Sequence, residues 1–161
     1  MNEDRILIHK LKNFENINSN FLTITLILFG SILLAISAKV QVPFWPVPMT
    51  MQTFVIFLIG MTYSVRLSFA TVAFYLFQGA IGLPVFAAGG GIAYLVGPTA
   101  GYLYGMLFAS IVISYLANLG FSKTYFKATV SLLIGSTIIF SFGIIYLGYS
   151  IGFEKAVAAG L

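Results

Sequence analysis

Acidic, basic and histidine side chains are few in this 161-residue sequence, and Lys39 is the only one inside its apolar runs. Ser and Thr are plentiful, but no base accompanies them as a catalytic triad would require. The only histidine is His9 and there is no cysteine, so a His pair, a thiol nucleophile and a thiolate metal site are ruled out. The apolar runs contain no Asp or Glu, which disfavours a proton relay or a carboxylate metal site. No G-x-x-x-x-G-K-[ST] phosphate loop occurs. The sequence therefore predicts a protein that is not an enzyme and that has neither a metal site nor a cofactor.

Neutral hydrogen-bonding groups lie in a first connection rich in proline. In "PFWPVPMTMQT", the prolines stiffen a loop that carries Trp45, and Thr50 and Gln52 follow where an apolar run begins. Each has an alternative interpretation. Trp45 could anchor the chain at the membrane interface, and Gln52 could simply form a hydrogen bond between two helices. Together they predict a small pocket with aromatic and apolar walls, suited to a partly apolar solute with an acid group.

A second connection, "GLPVFAAGGGIAYLVGP", is rich in glycine. Its run of Gly89, Gly90 and Gly91 predicts either a backbone surface for a close ligand or a flexible loop, and the sequence leaves both open. Gly97-Pro98 predicts the start of a helix, with proline at the first helical position. The free amides at such a helix end favour an anionic group.

The elements that must position these groups are membrane helices. Charged residues make up 7% of the chain, against roughly 25% in a soluble domain. Apolar runs near the ~20 residues that cross a bilayer occupy 21–40, 49–64, 67–82, 99–118 and 128–150. They are too long and continuous for barrel strands. The sequence thus predicts an all-α, polytopic membrane bundle of about five transmembrane helices.

Small residues form two patches that permit close helix packing. One repeats every four positions in the fourth run, at Gly97, Gly101, Gly105 and Ala109. A shorter patch in the first run consists of Ser31, Ala35 and Ala38. It predicts either packing inside the bundle or docking to a partner subunit.

Basic residues are distributed unevenly between the two sides of this bundle. If the N-terminus is cytoplasmic, six lie inside (Arg5, Lys10, Lys12, Arg66, Lys123 and Lys127) and two lie outside (Lys39 and Lys155). The positive-inside rule therefore favours a cytoplasmic N-terminus. We expect a cytoplasmic tail at residues 1–20 and a single transmembrane substrate-binding domain at 21–161, with both Pro/Gly-rich connections on the outer face.

Three motifs in order, "ISAKVQVPFWPVPMTMQTF", "YLFQGAIGLPVFAAGGG" and "GPTAGYL", resemble the BioY family, the biotin-specific substrate-capture (S) components of bacterial energy-coupling factor (ECF) transporters. The resemblance covers about residues 33–105. It implies a compact multi-pass bundle in the bacterial plasma membrane that binds biotin near its outer face. It also implies partners, namely a coupling membrane protein and two ABC ATPases, which alone use ATP.

The resemblance also implies which residues bind the ligand and which dock to the partner. The family's ligand-binding positions fall on Thr50, Gln52, Gly89, Gly90, Gly91, Thr99 and Tyr102, to which Trp45 is added from the loop that carries it. The positions that dock to the coupling protein fall on Ser31, Ala35 and Ala38.

The chain departs from the family pattern after its fifth run. Family members have six helices, and Glu154 and Lys155 do not match the Pro-Gly-Asp-x-x-Lys pattern that introduces the last one, so we expect that helix to be missing. Ala100 also replaces a family glycine. Three alternatives stay open: an S component for another small vitamin, a non-transporting membrane scaffold, and an inactive truncated product.

Overall fold

α-Helices occupy the positions of all five predicted apolar spans, which confirms the all-α fold class. The computed structural model describes residues 19–43 and 47–160. Its elements in chain order are α1 (Ser19–Lys39), β1 (Gln41–Val42), β2 (Met49–Thr50), α2 (Gln52–Thr62), α3 (Val65–Ala80), α4 (Ile92–Leu95), α5 (Ala100–Asn118), a 3-10 turn (Phe121–Lys123), α6 (Tyr125–Ile151) and α7 (Phe153–Gly160). Most of the predicted tail, residues 1–18, and Trp45 lie outside the described residues.

The helices differ in length. Three are long and apolar enough to cross a membrane unaided, at Asn20–Lys39, Ala100–Asn118 and Tyr125–Ile151. By contrast, α2 has 11 residues, about 17 Å of helix against a hydrocarbon core of about 30 Å. The second helix begins later than predicted, because Met49 and Thr50 first pair with Val42 and Gln41 in an antiparallel hairpin.

The helices alternate in direction, so their connections fall at two ends of the bundle. The turn end consists of the α2–α3 turn and the 3-10 turn between α5 and α6. There the hydroxyl of Tyr63 donates a hydrogen bond to the Leu26 carbonyl at 3.0 Å. The loop end consists of the β1–β2 hairpin and the segment at residues 81–99. Both Pro/Gly-rich connections therefore lie at the same end of the bundle.

Close packing joins α5 to α6. A Cβ atom on Gly101 would lie 2.5 Å from the Phe142 carbonyl oxygen, and one on Gly105 would lie 2.9 Å from the Ile139 Cα. Both distances are too short for a side chain, so the part of the small-residue stripe at Gly101 and Gly105 is confirmed as a helix contact. α6 supplies a matching buried row that the sequence analysis did not identify, at Ser131, Gly135, Ile139, Gly143 and Leu147.

The start of α5 differs from the sequence-based expectation. The helix begins at Ala100, so Gly97 and Pro98 precede it rather than open it. The amide of Ala100 donates to the Gly97 carbonyl at 3.0 Å, which closes a turn ahead of the helix. Gly97 is accordingly part of this turn and not of the contact between α5 and α6.

The small-residue patch of α1 faces mainly into the bundle. Ser31 and Ala38 are 1% and 0% exposed, and the Ser31 hydroxyl donates a hydrogen bond to the side-chain oxygen of Gln78 on α3. Only Ala35 is half-buried. Ser31 and Ala38 therefore correspond to packing inside the bundle, and neither presents surface to a partner in this structure.

Candidate functional site

A chain of hydrogen bonds links the hairpin to the segment at residues 81–91. The Thr50 hydroxyl donates to Gln52 Oε1 at 3.1 Å, and Gln52 Nε2 donates to the Tyr75 hydroxyl at 2.7 Å. Tyr75 in turn donates to the Val85 carbonyl at 3.0 Å. Gln52 is only 4% exposed. The Gln52 amide therefore forms a hydrogen bond between α2 and α3, which was one of the two interpretations of this residue. It also holds Thr50 at the edge of the loop end.

Phe86 fixes the segment to the core. Its ring is fully buried and lies edge-on to Tyr75, with ring centroids 5.4 Å apart, and stacked on Tyr94 at 4.9 Å. Gly79 makes room for it, because a Cβ there would lie 1.9 Å from the Phe86 ring. Such aromatic pairs add about 0.5–1.5 kcal/mol beyond the area that they bury. The segment is thus anchored by an aromatic side chain at its centre.

The three consecutive glycines form an ordered turn. Gly89 exchanges backbone hydrogen bonds with Phe86, at 2.9 and 3.3 Å, and the Gly91 amide donates to the Gly79 carbonyl at 2.7 Å. The φ angles of Gly89 and Gly91 are +137° and +102°, a region that side chains disfavour. The structure therefore gives these glycines a conformational role, and their contact with a ligand stays a prediction.

Thr99 and Tyr102 lie at the start of α5, apart from the hydrogen-bond chain. The Thr99 carbonyl accepts the amide of Tyr102 at 3.1 Å. The Tyr102 ring packs on Gly143 of α6 and lies edge-on to Phe140 at 6.3 Å. Tyr102 thus belongs to the interface of α5 with α6. The amides of Ala100 and Tyr102 are both bonded within the chain, so neither is free to receive an anion at this helix end.

Three consecutive carbonyls of the segment accept hydrogen bonds from side chains on three different elements. The Tyr75 hydroxyl, on α3, donates to the Val85 carbonyl. Lys39 Nζ, at the end of α1, donates to the Phe86 carbonyl at 2.6 Å. Gln41 Nε2, on β1, donates to the Ala87 carbonyl at 3.5 Å. The segment is consequently held against α1, the hairpin and α3 at the same time.

A groove of about 350 Å³ opens between α1 and this segment. Apolar side chains form most of its wall, among them Ile36 and Leu83, and Lys39 is the only charged residue that lines it among the residues that the structure describes. Ser31 and Gln78 also line the groove, and they are hydrogen-bonded to each other. The groove therefore combines an aliphatic wall with an ammonium group.

The structure brings some predicted site residues together and separates others. Thr50, Gln52 and the three glycines lie around the segment at residues 81–91, whereas Tyr102 packs against α6. Sequence reasoning missed Tyr75 and Phe86, although both lie inside the motif "YLFQGAIGLPVFAAGGG". It also gave Lys39 no role beyond the charge count.

The model of the BioY family matches residues 10–161 of this chain. A similar protein from Rickettsia prowazekii, named as a probable biotin transporter BioY, is 33% identical over 156 residues, covering 96% of this chain and 80% of that protein. The biotin transporter BioY of Thermotoga maritima is 37% identical over 130 residues, covering 80% of this chain and 76% of that one.

A solved structure shares the fold. The crystal structure of the S-component for biotin from an ECF-type ABC transporter superposes with a TM-score of 0.78, covering 91% of this chain and 82% of that one. The sequences are 24% identical, so this likeness speaks for the helical bundle alone.

Proposed function

The chain belongs to the BioY family, and we propose that it captures biotin for uptake as the substrate-binding subunit of an ECF transporter. It is a multi-pass membrane protein and a transport protein rather than an enzyme. Within the proposal, it needs no cofactor, and biotin is its transported substrate.

The observation that carries this proposal is the convergence of two motifs at one end of the bundle. The hairpin and the start of α2 come from one motif, and the segment at residues 81–91 comes from the next. The buried chain from Gln52 through Tyr75 to the Val85 carbonyl joins them. Residues about 30 positions apart therefore form a single surface, as a ligand held by both would require.

The chemistry of this surface suits biotin. Biotin carries a neutral ureido ring and an aliphatic chain that ends in a carboxylate. In the proposal, the half-buried Thr50 offers a hydrogen bond to the ring. Gln52 positions Thr50, because its buried amide is already bonded to Thr50 and Tyr75. The backbone of Gly89 to Gly91 allows close approach, and Trp45 supplies an aromatic wall. A few neutral polar groups on an otherwise apolar surface are typical of small-molecule sites.

Transport requires partners that this chain does not supply. We propose a coupling membrane protein and two ABC ATPases, which use ATP on behalf of the complex. Docking would involve α1 at Ala35, since Ser31 and Ala38 are buried. The proposal places the protein in the bacterial plasma membrane, with the loop end outside.

Titration calorimetry of the purified 161-residue chain with biotin tests the proposal. We expect saturable binding of biotin at one site, and no binding of two other vitamins, riboflavin and thiamine. Binding of another vitamin in place of biotin would mean that the chain is a substrate-binding subunit for that vitamin. Absence of binding to all three, by a chain that is still folded, would contradict the proposed capture function.

A further inference from the structure

Among the residues whose side chains the structure describes, Lys39 is the only basic residue at the loop end. Arg66, Lys123 and Lys127 belong to the turn end, because they follow the α2–α3 turn or the end of α5. Lys155, near the start of α7, has a side chain outside the described part. An anionic ligand that reaches the loop end therefore meets the ammonium group of Lys39.

The ammonium group has donors to spare. An ammonium carries three N–H groups, and the hydrogen bond that the structure gives Lys39 is the one to the Phe86 carbonyl at 2.6 Å. That acceptor is neutral. Glu154 is the only acidic residue in the described ranges, and no ion pair joins it to Lys39. Within those ranges, the positive charge of Lys39 is thus left without a counter-charge.

The groove gives a ligand access to this charge. Lys39 lines it together with Ile36 and Leu83, which form an aliphatic wall beside the ammonium group. The neutral pair Ser31–Gln78 is already hydrogen-bonded, so the ammonium is the group in the groove best able to hold an anion. An aliphatic chain with a terminal carboxylate complements both features, because the wall would cover the chain and the ammonium would neutralise the acid.

We propose that Lys39 binds the carboxylate of the captured ligand, with the aliphatic chain of the ligand along the groove. The inference rests on the proposed function, since biotin supplies that carboxylate. It makes Lys39 a residue that determines specificity for the free acid. It also couples the ligand to the segment at residues 81–91, because the same ammonium group holds the Phe86 carbonyl.

The test compares biotin with its methyl ester, which has the same ring and chain but no charge. Binding is measured by calorimetry in nanodiscs of zwitterionic lipid, so that anionic headgroups do not compete for the ammonium. For Lys39→Met we expect biotin affinity to fall by about tenfold or more, as for the loss of a charge-assisted hydrogen bond. Affinity for the methyl ester should change by less than about twofold, since the ester makes no such bond.

Two further variants control for structure. Lys39→Arg keeps the charge and should retain most of the preference for biotin over its ester. Lys127→Met removes a cation at the turn end, where Lys127 lies 5.8 Å from the Phe121 ring centroid, and should leave both affinities unchanged.

The outcomes separate this inference from the proposed function. If Lys39→Met weakens both ligands equally, Lys39 only holds the segment in place and the inference is overturned, while biotin capture stands. If Lys39→Met binds biotin as tightly as the wild type, the inference is also overturned. If the wild type binds neither ligand, both the proposed function and this inference are wrong.

Discussion

At the scale of single residues, the hydroxyl of Tyr75 connects two segments that are distant in sequence. It accepts a hydrogen bond from Gln52 at the start of α2 and donates one to Val85 in the segment at residues 81–91. Tyr75 is 1% exposed. Buried polar groups lose about 1–3 kcal/mol when their partner is removed, so this hydroxyl should matter to both stability and ligand binding.

Tyr75→Phe keeps the ring against Phe86 and removes only the hydroxyl. We expect a lower unfolding temperature and weaker biotin binding, because Gln52 and the Val85 carbonyl lose their shared partner. Tyr63→Phe is the matched control: its hydroxyl also donates to a backbone carbonyl, that of Leu26, but at the turn end. Thermal unfolding and calorimetry should show that both variants lose stability and that only Tyr75→Phe loses affinity. Equal affinities in the two variants would contradict this role.

The sequence could predict only part of this arrangement. Thr50 and Gln52 stand out because they are polar groups at the edge of an apolar run. Tyr75 and Phe86 do not, since they are two among nine Tyr and 16 Phe in an apolar chain. What distinguishes these two is their partners, and partners across 10 or more positions depend on how the helices pack.

At the scale of elements, hydropathy located the helices but not all of their ends. The apolar run at 49–64 contains a strand of two residues, Met49–Thr50, which pairs with Gln41–Val42. Such a short strand leaves no periodic signal. Small-residue spacing predicted helix packing more accurately, because Gly101 and Gly105 of the stripe on α5 lie against backbone atoms of α6.

Gly105→Val tests this contact. The added side chain would meet backbone atoms of Ile139, at 2.9 Å from Cα and 3.0 Å from the carbonyl oxygen. Overpacking against backbone that cannot yield costs about 1–3 kcal/mol or more, so we expect a clear fall in unfolding temperature in detergent. Ser141→Val introduces the same β-branched side chain on the exposed side of α6 and should leave the unfolding temperature nearly unchanged. An equal unfolding temperature in the two variants would contradict the close packing of α5 on α6.

At the scale of the whole molecule, charge predicts how the bundle sits in the membrane. Arg66, Lys123 and Lys127 lie at the turn end, and the positive-inside rule favours that end in the cytoplasm. The loop end would then face outward, where a solute is captured. This orientation was predicted from sequence alone, and the arrangement of the helices is compatible with either direction.

The absence of native cysteine makes the orientation measurable with single introduced thiols. Val42→Cys at the loop end and Ser122→Cys at the turn end both replace exposed residues. In intact cells, a membrane-impermeant maleimide should label Cys at position 42 and should reach position 122 only after permeabilisation. The reverse pattern would place the loop end in the cytoplasm and remove the basis for capture from outside.

In the proposed function, the hairpin and the segment at residues 81–99 capture biotin at the loop end. Hydrogen–deuterium exchange with and without biotin tests it most directly, because amides that a ligand covers or stabilises exchange more slowly. We expect slower exchange in residues 39–52 and 81–99, and unchanged exchange at the turn end, in residues 63–65 and 119–124. Unchanged exchange at the loop end under saturating biotin, or slower exchange confined to the turn end, would contradict the account.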